Sequence, residues 1–428
     1  TIKSFSFSYC SGFDSLIIPN STSTIQISAF LGCSGFNNSL IIPGSVVTIS
    51  SYAFSKCTGF TGSLIIPDSV TSIGDSSFEG CTGLNGSLII GNSLEMITSK
   101  AFKDCGYFKG NLTIGQNVKT IQNEAFKGFV NFTGILLIPP SVINIGPSAF
   151  YGCIGFSSLK ITNTTSIGSY AFNKCSGFCG DLIIPDSVTS IGNYAFSGCS
   201  SLNGSLIIGN SLTKIAEETF EGCPYFTGNL TIGLNVTTIE KQAFLKFSKF
   251  TGPLIIPDNV KVIGYSAFEG CSGFDSLTIS NSITFLSDDI FKGCSGFQGE
   301  LKIPESVNAI NYQAFKECSG LNGTLIIPEN VSTIGNYAFQ STNFDKIYYN
   351  GLYDPQCGES IGFQKSQIII VKGIYNDDLF CNYNIAHDCD DGFFLNESYI
   401  CEECDNSCKT CYETASFCIS CNSHLYLL

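Results

Sequence analysis

Apolar and polar positions follow one pattern that returns about every 24 residues along most of the chain. Leu64 to Cys81 shows it most clearly: Leu-x-Ile-Pro, a short turn, Val-Thr-Ser-Ile-Gly, and Ser-Phe with Cys three residues after the Phe. In Leu-x-Ile the two ends point to one side and the middle residue to the other, which predicts a short β-strand. The Pro or Gly that follows ends the strand. The Phe of each unit lies at Phe7, Phe30, Phe54, Phe78, Phe102, Phe126, Phe150, Phe172, Phe196, Phe220, Phe244, Phe268, Phe291, Phe315 and Phe339.

A period of about 20–29 residues with one β-segment per unit is typical of a leucine-rich-repeat solenoid. We therefore predict a repeat solenoid that is mainly β. The expected form is a right-handed leucine-rich-repeat solenoid with a parallel sheet, followed by a small disulfide-rich tail. Each coil can bury its apolar residues only against its neighbours, so the stack has one long core. Function is accordingly expected on extended surfaces and not in a pocket.

The chain divides into three predicted regions, according to where the repeat pattern is regular, where it becomes irregular and where it ends. Residues 1–343 are predicted to form the solenoid, with about 15 coils of roughly 22–24 residues. Residues 344–381 are predicted to be C-terminal cap coils, because a solenoid must cover its open end. Residues 382–428 are predicted to be a separate cysteine-rich module. The chain begins within a repeat, so we expect a mature or truncated piece.

The repeat motif carries a resemblance to a known family. Ile-Pro-x-Ser-Val-x-x-Ile-Gly-x-x-Ala-Phe-x-x-Cys is nearly intact at Ile66 to Cys81 and at Ile184 to Cys199. It resembles the BspA-like leucine-rich repeats of bacterial and protist surface proteins, over about residues 1–380. The resemblance implies an adhesin or a recognition surface.

All but one of the 22 cysteines fall into two groups, and the first group lies three residues after the repeat Phe. Phe129 and Phe247 occupy the same slot elsewhere, so we expect buried, reduced thiols that act as small hydrophobes. A disulfide or metal ladder is the alternative, although stacked side chains point the same way at a spacing unsuited to disulfides. A local bridge between Cys175 and the off-pattern Cys179 is a further alternative. The repeat cysteines are Cys10, Cys33, Cys57, Cys81, Cys105, Cys153, Cys175, Cys199, Cys223, Cys271, Cys294 and Cys318.

The second group of cysteines lies between Cys357 and Cys421 and contains several CxxC pairs, which could bind zinc. The spacing from Cys401 to Cys421 also resembles the furin-like, growth-factor-receptor cysteine-rich modules of secreted proteins, including ciliate surface proteins. We favour disulfides over zinc, with the module truncated. Carried over by position, the resemblance implies the pairs Cys389–Cys401, Cys404–Cys411 and Cys408–Cys418 and leaves Cys421 without a partner.

The segment after Phe339 reads Tyr-Tyr-x-Gly…Cys…Phe-Cys, which resembles the C-terminal caps of the same repeat family. On that resemblance we pair Cys357 with Cys381. The same pairing leaves Cys421 as the odd cysteine of the tail.

The net charge of the chain indicates the class of partner, and its N-glycosylation sequons indicate the compartment. Asp and Glu outnumber Lys and Arg by 35 to 21, and the net charge of −14 argues against nucleic acid or an anionic membrane as partner. No apolar stretch reaches the roughly 20 residues of a transmembrane segment. The cysteine-rich tail and the sequons favour a secreted, extracellular or cell-surface glycoprotein. Expected glycosylation sites are Asn20, Asn37, Asn85, Asn111, Asn131, Asn163, Asn203, Asn229, Asn235, Asn322, Asn330 and Asn396.

Residues that could support catalysis are sparse. The two histidines, His387 and His424, lack a Ser or Cys partner at a recognisable motif. Asp388-x-Asp390-Asp391-Gly392 faintly resembles a calcium loop but lacks the bidentate Glu. The chain has no phosphate-loop Gly-Lys-Ser/Thr sequence. We therefore predict that the protein is not an enzyme, with no catalytic residue, no cofactor and no metal site.

The outward residue of the Leu-x-Ile strand is the candidate binding position. It should face solvent, yet in most coils it is apolar, whereas Thr113, Thr231, Thr278, Lys160 and Lys302 fill other coils. The high β-propensity of Ile explains these apolar residues on structural grounds alone. The functional explanation is that they form an apolar column that the surface of another molecule covers. The predicted binding face is Ile17, Ile41, Ile65, Ile89, Leu137, Ile183, Ile207, Ile255 and Ile326.

Two non-enzymatic functions fit these features. The first is an extracellular adhesion or recognition protein that binds a protein or glycan ligand through the extended solenoid face. The alternative is a structural subunit that binds copies of itself and assembles into an extracellular filament or coat. An open first coil would expose strand edge and core unless something covered it, which motivates the alternative.

Overall fold

The computed structural model describes residues 1–364, 366–372 and 375–387 in full, and the backbone of residues 393–395, 401–403, 408–411 and 418–421. The residues form two compact units, Thr1–Phe274 and Asp275–Leu428. The predicted domain boundaries at residues 344 and 382 remain predictions. Because both units are built from the same coil, one description of the coil serves for each.

The Leu-x-Ile segments form the first wall of each coil, and we call them the front strands. Leu64 and Ile66 are buried while Ile65 between them is exposed, as the alternation predicts. Those of the first unit are Leu64–Ile66, Leu88–Ile90, Leu112–Thr113, Ile135–Leu137, Ser158–Lys160, Leu182–Ile184, Leu206–Ile208, Leu230–Thr231 and Pro253–Ile255. Those of the second unit are Ser276–Thr278, Leu301–Lys302, Thr324–Ile327, Lys346–Tyr349, Ile369–Val371 and Tyr383–His387.

Neighbouring front strands pair in parallel with equivalent residues side by side. Leu64 lies opposite Leu88, and Leu88 lies opposite Leu112, in one parallel sheet. In the second unit Leu301, Leu325 and Ile347 form the same kind of row. The register is specified because a slip of one residue would expose the inward Leu row and bury the outward row.

The Val-x-x-Ile segments form a second wall, the back strands, of two residues each. Their second residue is the buried Ile of the motif, for example Ile49 next to Ile73. In the first unit they are Thr24–Ile25, Thr48–Ile49, Ser72–Ile73, Met96–Ile97, Thr120–Ile121, Asn144–Ile145, Ser166–Ile167, Ser190–Ile191, Lys214–Ile215, Thr238–Ile239 and Val262–Ile263. In the second unit they are Phe285–Leu286, Ala309–Ile310, Thr333–Ile334 and Gln356–Cys357.

The segment around the repeat Phe forms a third wall without regular strands. Alternate backbone groups bond to the next coil, as where the N–H of Phe30 donates to the carbonyl of Ala53 at 2.8 Å. The residues two before and two after the Phe adopt left-handed backbone angles, with φ of 58° at both Tyr52 and Lys56. These paired left-handed residues let the chain turn tightly around the inward-pointing Phe54 ring. The sequence pattern did not predict this, since Gly fills only some of these positions.

The core is a stack of parallel Phe rings. Phe30 and Phe54 have ring centroids 5.2 Å apart at an interplanar angle of 6°, and Phe54 and Phe78 follow at 5.4 Å and 9°. The second Phe of the coil forms a parallel stack beside the first, with Phe36 and Phe60 4.9 Å apart. Identical rings therefore repeat at the coil spacing, which satisfies the requirement that each coil bury itself against its neighbours.

The last described coils depart from the repeat. Lys346–Tyr349, Ile369–Val371 and Tyr383–His387 continue the parallel sheet, and Leu379–Phe380 turns back antiparallel to Tyr383–His387. Beyond them, Phe393–Leu395 pairs antiparallel with Cys401–Glu403, and Cys408–Cys411 pairs antiparallel with Cys418–Cys421.

The fold class predicted from the sequence is confirmed: the chain forms a parallel-strand β-solenoid, with about 14 turns counted over both units. No helix occurs among the described residues. Accordingly, that part of the chain offers no helix with the length and apolar character needed to cross a membrane.

Candidate recognition surface

The outward positions of the Leu-x-Ile segments carry a series of apolar residues, here called the Ile column, of which Ile17 and Ile41 precede the first front strand and all but the half-buried Ile326 are exposed. The members of the column are Ile17, Ile41, Ile65, Ile89, Leu137, Ile183, Ile207, Ile255 and Ile326. Exposure reaches 85% at Ile17 and 72% at Ile41, and is still 37% at Ile207. The register places Ile65 beside Ile89, and Ile183 beside Ile207. The two members of each pair are thus separated by about 4.8 Å, so each pair presents a short apolar ridge.

A row of small polar residues borders the Ile column in the first unit. At Ser63, Ser87 and Ser205, each two positions before a column residue, the side-chain hydroxyl accepts a backbone N–H from the next coil. Ser63 Oγ accepts from the N–H of Ser87 at 3.0 Å, and Ser87 Oγ accepts from the N–H of Asn111 at 3.1 Å. From Ser39 to Leu137 the outward positions of these two rows carry no charged residue. The result is an uncharged surface of Ile and Ser on a chain with a net charge of −14.

The column is interrupted where the sequence predicts. Thr113 and Thr231 follow Ile89 and Ile207 in register, and Lys160 follows Leu137, all three on the exposed face.

In the second unit the column is less open. Ile326 is half-buried, and it lies in register between Lys302 and Tyr348. The larger Tyr348 side chain takes up space beside it, and the next residue in the row, Ile370, is buried. Ile326 therefore offers less apolar surface than the members of the first unit.

Charged side chains on the third wall pair with one another. Lys103 Nζ lies 3.0 Å from Glu124 Oε2, and Lys127 Nζ lies 2.7 Å from Glu124 Oε1. The hydrogen bond to Glu124 raises the pKa of Lys103, although burial opposes the shift. Burial would raise the pKa of the Glu124 carboxyl, but the bonds from Lys127 and Lys103 lower it. Glu124 thus bridges two lysines in a structural ion-pair cluster.

The repeat cysteines are buried, except that Cys10 is half-buried, while the off-pattern Cys179 is exposed. All of them remain thiols. Ten of the repeat thiols also do more than fill space, because each donates to the backbone carbonyl of the Phe in the preceding coil at 2.8–3.3 Å. The donors are Cys33, Cys57, Cys81, Cys105, Cys153, Cys175, Cys199, Cys223, Cys271 and Cys318.

The structure joins Cys357 to Cys381 in a disulfide, with Cα atoms 5.5 Å apart. Asp354 lies beside it, and its Oδ1 accepts the backbone N–H of Cys381 at 2.7 Å. Burial raises the pKa of the Asp354 carboxyl. Among the described residues, Asp354 and these two sulfurs form the cluster with three potential metal ligands, and the disulfide commits both sulfurs. Asp354 thus lies against a disulfide that joins residue 357 to residue 381.

Most predicted glycosylation sites are exposed. Asn131 is half-buried, and its Nδ2 donates to the carbonyl of Gly106 at 2.6 Å. Asn396 lies outside the described residues. The exposed sites are Asn20, Asn37, Asn85, Asn111, Asn163, Asn203, Asn229, Asn235, Asn322 and Asn330.

The predicted tail disulfides involve side chains outside the described residues. These pairs are Cys389–Cys401, Cys404–Cys411 and Cys408–Cys418. The strand pairing places the backbones of Cys411 and Cys418 opposite each other, and those of Cys408 and Cys421 likewise. The implied connectivity and the furin-like assignment remain predictions.

Comparison with known proteins identifies the repeat. The family model described as "BspA type Leucine rich repeat region" matches in six copies over residues 1–133, 96–181, 134–251, 165–298 and 252–354. A search of curated protein sequences finds no match.

Several solved structures are similar to the chain. A leucine rich cell surface protein from Faecalibacterium prausnitzii is 24% identical over 71% of this chain and 83% of that one, with a TM-score of 0.40. A leucine-rich repeat protein from Bacteroides ovatus is 23% identical over 76% and 87%, with a TM-score of 0.43. The pneumococcal vaccine antigen PcpA is 18% identical over 80% and 85%, with a TM-score of 0.40.

The family model covers well over half of the chain, and its repeat is the coil described above. The chain belongs to the BspA type leucine-rich-repeat family.

Proposed function

We propose that the chain is a non-enzymatic, extracellular cell-surface recognition protein that binds a protein or glycan ligand through the front strands. The observation that carries the proposal is the Ile column of the first unit. Ile17, Ile41, Ile65 and Ile183 each expose more than half of their surface. The stability of the solenoid does not depend on exposing these methyl groups to water, whereas a ligand that covers them would bury their apolar surface.

The size of the effect supports a binding role. Burying the exposed half of one Ile side chain is worth roughly 1–2 kcal/mol. Several such side chains on one face could thus supply several kcal/mol, which is of the order needed for a micromolar complex after the costs of association. The outward positions of the two rows carry no charged residue from Ser39 to Leu137, so covering these positions strips no ion of its water.

The family and the composition agree with this role. The sequence resemblance to BspA-like repeats implies adhesion or recognition, and the family model that matches the chain describes a leucine-rich-repeat region. The ion pairs around Glu124 join neighbouring coils, and the Cys357–Cys381 disulfide joins two segments of the chain, so both have a structural explanation.

A matched pair of variants tests the proposal. Ile65→Ser with Ile89→Ser removes two neighbours in the column, and Val47→Ser with Ile143→Ser removes two exposed apolar residues next to the back strands. Val47 is 43% exposed and Ile143 is 45% exposed, which makes the control similar in polarity change and burial. Binding is measured against immobilised extracellular-matrix proteins and surface polysaccharides.

The Ile65→Ser/Ile89→Ser variant, the column variant, should bind at least about tenfold more weakly to the probe that the unmodified protein binds. The Val47→Ser/Ile143→Ser variant, the control variant, should keep its affinity. Equal affinity of the two variants would refute the proposal. Sedimentation of the same proteins covers the alternative: if the column variant loses self-association and nothing else, the partner is a second copy of this chain.

A further inference from the structure

Three turns with the sequence Asn-Gly-Ser/Thr stand apart from the other sequons. They lie at Asn85, Asn203 and Asn322, which occupy equivalent positions in coils where Leu replaces the second Phe. All three Asn side chains are exposed. Apart from Asn37, which is followed by Asn and not by Gly, the other coils have Asp, Thr, Lys, Ser, Cys or Gln in the same slot, so the fold itself does not demand Asn.

The side-chain amide is oriented in the same way at all three sites. Asn85 Oδ1 accepts the backbone N–H of Gly62 at 2.9 Å, and Asn203 Oδ1 accepts that of Gly180 at 2.8 Å. Asn322 Oδ1 accepts the N–H of the equivalent glycine, at residue 299, at 3.2 Å. An N–H group can only donate to the oxygen, so the amide nitrogen is turned away from the preceding coil. The fold thus uses the oxygen and presents Nδ2 to solvent.

Asn131 shows the opposite arrangement. Its side chain is half-buried, and Nδ2 is the atom that contacts the preceding coil, where it donates to the carbonyl of Gly106 at 2.6 Å. A sugar on this nitrogen would have to lie against the coil that the nitrogen now touches. Asn131 is therefore a natural comparison for the three outward amides.

We propose that Asn85, Asn203 and Asn322 carry N-linked glycans and that Asn131 does not, an inference that shares the extracellular location with the proposed function. The donor is a lipid-diphosphate-linked oligosaccharide, the usual class for this sequon. The amide nitrogen forms a bond to sugar C1 and loses one proton, while the C1–oxygen bond to the diphosphate breaks and the lipid diphosphate leaves. No electrons are exchanged, and the Oδ1 acceptor is untouched.

The glycans would border the Ile column without covering it. Asn85 precedes the column residue Ile89 by four positions, and Asn203 precedes Ile207 by the same number. At about 3.3 Å per residue this separation is at most roughly 13 Å. Sugar on these turns therefore lines one long edge of the face, so a ligand would reach the column from the opposite edge.

The experiment reads site occupancy by mass spectrometry. The full chain is expressed behind a cleavable secretory leader in a eukaryotic host, and both the secreted and the retained protein are treated with peptide N-glycosidase in heavy-oxygen water. Each occupied Asn becomes a heavy Asp. We expect occupancy in most copies at Asn85, Asn203 and Asn322, and in few copies at Asn131. An unoccupied site among the three, or equal occupancy at Asn131, would overturn the inference.

Two variants separate modification from structure. Asn85→Asp keeps the oxygen that accepts from Gly62 and removes the glycan acceptor, so it should lose one glycan mass and keep its melting temperature after deglycosylation. Asn131→Asp loses the donor to Gly106, so it should melt lower and lose no glycan mass. A fall in glycan mass in the second variant would also contradict the proposal. Glycan occupancy is measured without any ligand, so a failed binding assay would not affect the test of the glycosylation proposal.

Discussion

The thiol of Cys57 donates a hydrogen bond to the backbone carbonyl of Phe30 in the preceding coil, with sulfur and oxygen 2.9 Å apart. The same contact recurs along both units, for example from Cys81 to Phe54 at 3.0 Å. The slot therefore suits Cys for two reasons: the sulfur fills a small apolar space, and its proton gives the Phe30 carbonyl, which already accepts the N–H of Cys33 at 3.1 Å, a second hydrogen bond.

This contact predicts an order of stability at Cys81. Cys81→Ser keeps a donor for the Phe54 carbonyl, whereas Cys81→Ala removes it, at an expected cost of about 1 kcal/mol. Urea unfolding should accordingly find the Ser variant at least as stable as the Ala variant. If the thiol were only a small hydrophobe, the order would be reversed, because Ser would bury an unpaired hydroxyl.

Burial of the thiols predicts a loss of stability at high pH. Burial raises the pKa of Cys223 from 9.0 to about 12. Between these values the folded protein keeps a proton that the unfolded chain has lost, so the folded state is destabilised as the pH rises, by about 1.4 kcal/mol per pH unit for this thiol. Below pH 9 the thiol has no such effect. Melting temperatures from pH 8 to 11 should fall less steeply for Cys223→Ser than for the unmodified protein, and equal slopes would contradict this prediction.

The left-handed residues predict a stabilising substitution. Lys56 has a φ of 58°, and the equivalent position in the next coil is Gly80, with a φ of 71°. Lys56→Gly removes the steric cost of a left-handed side chain and should raise the free energy of unfolding by about 0.5–1 kcal/mol, after the extra entropy of Gly in the unfolded chain. Lys261→Gly, at an exposed residue with ordinary backbone angles, should lower it by a similar amount. A lower melting temperature for Lys56→Gly would contradict this account of the third wall.

The Cys357–Cys381 disulfide predicts a local contribution to stability. The bridge spans 24 residues, and closing a loop of that size restricts the unfolded chain by about 3 kcal/mol. Replacing both cysteines by Ser should therefore increase hydrogen exchange in Lys346–Tyr349 and Ile369–Val371. Because coils interact only with neighbours, exchange in the coils around Phe54 should not change. Uniform destabilisation of every coil would show that cooperativity extends further than nearest neighbours.

The sequence predicted which residues lie side by side in the sheet, but not the turns and hydrogen bonds that join neighbouring coils. The period placed Leu64 next to Leu88 and turned Ile65 outward, because strand alternation and identical neighbours leave no other register. It could not reveal the left-handed turn at Lys56, since a non-Gly residue gives no signal for positive φ. It also missed the oxygen of Asn85 as an acceptor, because the donor, Gly62, belongs to another coil.

The outcome at Ile326 shows a second limit. Its position in the motif matches that of Ile65, yet it is half-buried because the following coil brings Tyr348 beside it. Sequence analysis assigned exposure from the motif alone, whereas exposure depends on the neighbouring coil.

The central claim, that the Ile column is the binding face, is tested most directly by side-chain footprinting of the intact protein. Carbene labelling is compared for the protein in solution and for the protein bound to the surface that retains it. We predict that labelling falls at Ile65 and Ile89 on binding, and that it is unchanged at Val47 and Ile143. Protection at Val47 and Ile143, with Ile65 and Ile89 still labelled, would contradict the account and place the binding face on the back strands.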